Sequence, residues 1–575
     1  MLAAQADTTA RRTTTARDTT ARDTTARDTS AALLPVFGPA IAPGPLPRYA
    51  RYTFTNDSLL LSGARTLSDL LIHIPGVYIA RGGWYGQAEI ALYGGRGPAS
   101  LEVYWDGVPM APLGRDSIYL DPARIPLGPV ERVDIIVLPA ALQVYLVTSQ
   151  YRSTTPRTQI GIVTGQQDIA DYRAGYATRL RSGFGVTFLA DWASIGSGPV
   201  SNTTTSFGTS DIWLKADYVP PDSRVGASFQ VSSSSWHRAS GSNVEGWRQD
   251  RRDRLLSLFV AQRSDGLGWR VTATLGASGI SHDTLIARRN VSGAALEVSQ
   301  TWRNAGLAGT ARLGAAGLPQ QFEGRAGWIP IRPFTLAGTV RQSVYRGHRG
   351  GVRAFGTAGL TLPLGFSARA EVAWQHDAQA PLVTTDRVQQ AFDIAGWIGL
   401  ENRLLTIEVG RGRRDPFAPL GFAEGISKVD SLNPTPRTEF VAVHGTLRIA
   451  PGFRLSGWYF NPVAGGSDFE PPRHGLVSLS FYSKFWRVFN SGIFALRGEV
   501  AMESWSRAIL GGLQGSTQRA MTGSSFANTN LEMQLAGVTI FWSVSNINIM
   551  RSSYVEGLGY PKAAQQYGAR WFFTN

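Results

Sequence analysis

The chain contains no cysteine, which excludes a disulfide scaffold and any cysteine-ligated metal site. Lysine is nearly absent. Only Lys215, Lys428, Lys484 and Lys562 occur among the 56 basic residues, so the formal net charge of +14 is carried by arginine. No stretch of 18 or more uncharged apolar residues exists, so a transmembrane helix is excluded, but a closed β-barrel is not. A spanning strand needs only ~9 to 11 residues with every second one facing lipid, and the mean hydropathy of −0.09 suits such a pattern. What the chain does have is 575 residues with 43% hydrophobic and 10% aromatic content, too long for one ordinary soluble domain and too apolar for disorder.

The position of the charge narrows its meaning. Residues 1–30 carry five Arg and four Asp, and residues 31–150 carry eight Arg against nine acids, so the whole excess lies beyond residue 150. There it is spread thinly, unlike a basic arm, and a nucleic-acid partner is not expected. The first 50 residues read as a disordered leader. TTARD repeats at 14–18, 19–23 and 24–28 have no apolar face to offset the entropy of ordering. Ala4-Gln5-Ala6 has the small-x-small form of a signal-peptidase site, but no charged or apolar region precedes it, so the start reads as truncated or misassigned.

Residues 51–150 have the makings of a small mixed domain. Thr66-Leu-Ser-Asp-Leu-Leu-Ile-His73 predicts a short helix with Thr66 as N-cap and Asp69 completing a capping box, ended by Pro75-Gly76. Strands are expected at 77–80, 89–93, 101–105, where Asp106-Gly107 makes a turn, and 133–138.

LSDLLIHIPGV (67–77), YGGRG (93–97), EVYWDGVPM (102–110) and PVERVDIIVLPAA (129–141) occur in one order over some 75 residues. Together they resemble the plug domain of TonB-dependent outer-membrane receptors. The resemblance implies a plug folded inside a 22-stranded barrel and solute uptake driven by a periplasmic TonB-type coupling protein. The chain departs from the family after the VERVDII strand, where Leu138-Pro-Ala-Ala stands in place of an RGP-type turn. A coupling box, a short apolar strand to which the partner adds by β-augmentation, is expected between Ala32 and Thr55.

From 157 to 575 the chain becomes about 20 segments of roughly ten residues with period two, the pattern of a transmembrane barrel. In Asp211–Tyr218, Ile212, Leu214, Ala216 and Tyr218 share one face, and Asp211, Trp213, Lys215 and Asp217 the other. Trp269–Leu275 and Val477–Lys484 alternate likewise. The final segment, Tyr567-Gly-Ala-Arg-Trp-Phe-Phe573, resembles the closing strand of the receptor family. The predicted fold is therefore mainly β: an antiparallel transmembrane barrel of about 22 strands, with 18 to 20 as the alternative, filled by an N-terminal α+β plug. Longer loops are expected at 195–210, 411–436 and 503–528.

Chemistry is sparse. HExxH, GxSxG, P-loop and Rossmann patterns are missing, and the seven His have no metal-ligand spacing, so no enzyme, metal or cofactor is expected. By the resemblance, apical plug loops meet the solute, and these hold Arg81, Trp84, Tyr85, Arg115, Ser117 and Tyr119. Arginines and aromatics suit an anionic, partly apolar ligand such as a ferric chelate. Glu102, Asp106, Glu131 and Arg132 match motif positions and are read as plug-to-wall ion pairs. Two functions stay open: an outer-membrane receptor taking up a ferric siderophore or similar chelate, and a structural or adhesive barrel without energy-coupled transport. The partners implied are the coupling protein, outer-membrane lipid and lipopolysaccharide, and a small solute.

Overall fold

In a computed structural model, the described residues are 33–38, 45–56, 58–59, 64–81, 89–113, 119–166, 168–196, 206–222, 224–239, 246–282, 286–346, 350–382, 388–422, 429–431, 433–464, 470–485, 488, 493–510, 519–521, 523–549 and 563–574. The TTARD repeats and Ala4-Gln5-Ala6 lie outside them.

Among the described residues, 22 antiparallel strands, from Arg157–Gly165 to Ala564–Thr574, close a barrel. Closure is direct: Thr574 pairs with Arg157 and Gln566 with Gly165 across the seam. The period-two pattern sorts as the sequence predicts. Ile212, Leu214 and Tyr218 are exposed on the outside, while Trp213, Lys215 and Asp217 are buried toward the lumen. Leu275, Val477, Leu479, Tyr567 and Phe573 are likewise exposed on the outer face. Long connections at 196–206, 415–437 and 506–523 gather at one end, and short turns such as 302–304, 451–452 and 536–537 at the other. Long loops mark the extracellular end of such barrels and short turns the periplasmic end.

The lumen holds a smaller sheet. Strands β1 (Arg51–Phe54), β2 (Tyr78–Arg81), β3 (Glu89–Leu92), β4 (Leu101–Trp105), β5 (Val108–Pro109), β6 (Val130–Val137) and β7 (Leu142–Thr148) surround helix α1 (Leu67–Leu71). Five of them form one sheet in the order β1-β6-β7-β4-β5, and β2 and β3 form a hairpin. In α1 the Asp69 carboxylate accepts hydrogen bonds from the backbone N–H groups of Arg65 (2.9 Å) and Thr66 (3.1 Å), which fixes the helix start. Leu67, Leu70 and Leu71 then face a core with Val103, Val133, Ile135, Leu142, Val144 and Leu146. Strand β7, which the sequence reading leaves undelimited after Pro139, lies between β6 and β4 and pairs parallel to β4.

Candidate functional site

The plug meets the wall through polar groups that neither partner could bury alone. Glu102 on β4 is the densest junction. Its Oε1 is 2.6 Å from the Arg341 guanidinium and 2.7 Å from that of Arg353, and Tyr104 donates to its Oε2 at 3.0 Å. Arg353 also pairs with Asp377 at 2.5 Å, and the Tyr345 hydroxyl donates to the same carboxylate. Burial alone would raise the Glu102 carboxyl, but Arg341 and Arg353 outweigh it and hold the group well below the usual carboxylate range.

Asp106 begins the turn after β4 with a positive φ of 45°. Its carboxylate accepts from the Thr148 N–H (2.9 Å) and hydroxyl (2.6 Å), tying the turn to the end of β7, and from the wall residue Gln230 at 2.5 Å. Lys215 stands 3.7 Å away and donates to the Thr148 hydroxyl at 2.9 Å. A third junction sits in the glycine turn after β3. Gly94 and Gly95 both have positive φ, and Gly95 N–H donates to Glu470 at 3.0 Å. Arg96, 3% exposed, pairs with Asp393 of the wall at 2.5 Å and lies over the Phe417 ring at 4.5 Å.

The remaining motif residues behave differently. Glu131 accepts from the Gln150 N–H (2.6 Å) and Arg132 pairs with Asp134 (2.9 Å), both within the plug. The expectation that these two reach the wall is corrected: they start β6, whose neighbours are β1 and β7, so their nearest polar groups belong to the plug's own sheet. Arg81 faces Glu89 across the β2–β3 hairpin at 3.7 Å, so its charge is met inside the plug. Tyr119 is buried. Trp84, Tyr85, Arg115 and Ser117 lie outside the described residues.

Between β4, the 108–112 segment and the wall lies a cavity of ≈ 260 Å³, under connections 316–319 and 379–382 of the long-loop end. Its polar lining includes Tyr104, Tyr119, Arg312, Arg341, Tyr345 and Arg353, and the rest is largely apolar, with Val108, Met110, Val291 and Leu318. A smaller cavity of ≈ 50 Å³ adjoins Tyr119, Asp121 and Arg124. Here burial pushes the Asp121 carboxyl up to about 7 despite Arg124 at 3.2 Å. Of these groups the sequence reading singles out Glu102, Asp106 and Tyr119. It misses Arg341, Arg353 and Arg96, although Arg96 stands in the quoted YGGRG and every inward strand position with an Arg was a signal.

At the turn end the chain enters along the wall. Leu34 N–H donates to the Arg152 carbonyl at 2.9 Å, Phe37 packs edge-on to Phe259 at 5.3 Å between centroids, and Tyr49 and Arg48 both meet Glu401. The first residues of the plug and its exit thus share the periplasmic end.

The family model of the TonB-dependent receptor plug domain matches residues 48–144. No curated protein matches the sequence. Among solved structures, the chain is similar to a ferric enterobactin receptor (PfeA) of Pseudomonas aeruginosa, with TM-score 0.69 at 12% identity over 91% of this chain and 98% of that one. It is similar to the siderophore receptor PirA of Acinetobacter baumannii, with TM-score 0.69 at 10% identity over 91% and 98%. It is also similar to the FrpB iron transporter of Neisseria meningitidis, with TM-score 0.70 at 10% identity over 91% and 99%. At these identities the likeness is one of fold. The chain thus carries a sequence matched by the plug-domain model of TonB-dependent receptors at residues 48–144, seated in a 22-stranded β-barrel whose fold is that of the solved siderophore and iron receptors.

Proposed function

We propose that the protein binds a scarce anionic solute of the ferric-chelate class at its outer end and admits it by an energy-coupled movement of the plug. The observation that carries this reading is the cavity where Arg341 and Arg353 converge on one plug carboxylate. An anionic group entering the cavity competes with Glu102 for the same two guanidiniums. Charge-assisted pairs of this kind exchange partners at little net cost when the incoming acceptor is equally charged. Apolar and aromatic walls would hold the rest of a chelate. The solved receptors of like fold, described as a ferric enterobactin receptor, a siderophore receptor and an iron transporter, support this choice of solute.

The coupling partner would engage the segment from Leu33 to Phe54. Its β1 is the edge strand of the plug sheet, with one side unpaired in that sheet, and an edge can accept a further strand. Uptake of radiolabelled iron as a panel of ferric chelates, by cells with and without the gene, tests the reading. Uptake of at least one chelate that needs both this protein and the coupling complex is expected. Equal uptake across the panel would favour a structural barrel instead.

A further inference from the structure

On the strand Trp247–Ala261 the side chains alternate strictly. Arg251 donates to the plug carbonyl of Ala111 (3.0 Å) and Gln249 meets Arg124, so odd positions face the lumen and even positions the outside. Leu256, Leu258 and Val260 are exposed on that outer face, and above them come Arg254 and Arg252, also exposed. Neither arginine has an acidic partner among the described residues. The outer positions on both neighbouring strands pass from large apolar to small or polar side chains over these two steps. Val231 stands opposite Arg254 and Ser233 opposite Arg252 on one side; Ala277 and Gly279 stand there on the other. Below this line are Phe229 and Leu275, above it Ser235 and Ser281.

The two arginines therefore mark the outer edge of the lipid band, where an outward Arg is tolerated far better than at the midplane. Their Cα atoms are ~7 Å apart on one face, close enough for both guanidiniums to grip one phosphate. The carboxylate sharing that face, Asp250, is already met by Arg248 at 3.3 Å. We propose that Arg252 and Arg254 are the phosphate seat of a binding site for a phosphorylated glycolipid of the outer leaflet, whose acyl chains lie along Leu256, Leu258, Phe229 and Leu275. Arg248 and His237, opposite one another two outward positions above Arg252, extend the basic surface toward the headgroup. The outward Arg411 differs: it is held by Glu439 at 2.8 Å.

Native mass spectrometry of the full-length protein in detergent tests the site, titrated with bisphosphorylated lipid A, its dephosphorylated counterpart or inorganic phosphate. Retention of bisphosphorylated lipid A is expected, with binding weakened roughly thirtyfold in R252Q/R254Q and unchanged in R411Q. Inorganic phosphate, lacking acyl chains, should not be retained. Equal binding by wild type and R252Q/R254Q, or phosphate retained as well as the lipid, overturns the proposal. Should the double variant not assemble, the wild-type comparison decides: equal retention of the phosphorylated and dephosphorylated lipids sinks the idea.

Discussion

Glu102, near the start of one short plug strand, and Asp106, just past its end, bind the wall in different ways. Glu102 is met by two cations, whereas Asp106 divides its acceptors between Thr148 of the plug and Gln230 of the wall. Removing Glu102 strands the buried Arg341 guanidinium, while Arg353 keeps Asp377, and truncating one partner of a buried pair costs ~3–5 kcal/mol. Glu102→Ala should therefore loosen β4 from the wall, seen as faster amide exchange across Leu101–Trp105 while the barrel strands keep their protection. Two buried plug groups give opposite pH slopes. Burial lowers the His73 imidazole to about 4, so the unfolded plug binds the extra proton between pH 6.5 and 4 and stability falls as pH drops through that window. Burial raises Asp121 to about 7, so the native plug keeps a proton that the unfolded chain releases above its carboxylate range, and stability falls as pH rises from about 4 to 7. Asp121→Asn should flatten the second slope and leave the first, as followed by amide exchange of the plug across pH 4 to 8.

Among the elements, α1 and the barrel strands were legible in the sequence for simple reasons. Asp69 follows Thr66 at capping-box spacing, and Asp69→Ala should cost about 1 kcal/mol of helix stability, measurable by local amide exchange. Barrel strands announce themselves because one face meets lipid and the other a polar lumen, as in Ile212, Leu214 and Tyr218 against Lys215 and Asp217. Strand β7 has no such contrast. Leu142, Val144 and Leu146 and also Tyr145 and Val147 are all buried, so no period of two marks it. The wall halves of the plug junctions were hidden for another reason: Arg341 and Arg353 lie 239 and 251 residues from Glu102, and only the register of the closed barrel brings them together. The apical glycine turn is tight. A Cβ on Gly94, whose φ is +71°, would stand 2.9 Å from the Ala140 Cα, so Gly94→Ala should displace Arg96 from Asp393. Faster proteolysis of the apical plug would report it.

For the molecule as a whole, the net charge of +14 divides into an inner and an outer share. Much of the inner share is spoken for. Arg179 meets Asp217, Arg312 meets Glu323, and Arg369 meets both Glu371 and Glu408. These pairs allow a polar lumen to be packed with plug without stranding ions. If the proposed coupling holds, deleting residues 33–47 should abolish uptake while the purified protein still binds its chelate at the outer end, measured by isothermal titration.

The seam between Arg157–Gly165 and Ala564–Thr574 also sets an order in time. The strand that shuts the barrel is made more than 400 residues after the strand it must find. Until then the first strand keeps an unpaired edge, and the plug, made before any of the wall, has nothing around it. Enclosure of the plug therefore precedes or accompanies the final zipping of the seam, and a pairing so distant in sequence is intrinsically slow.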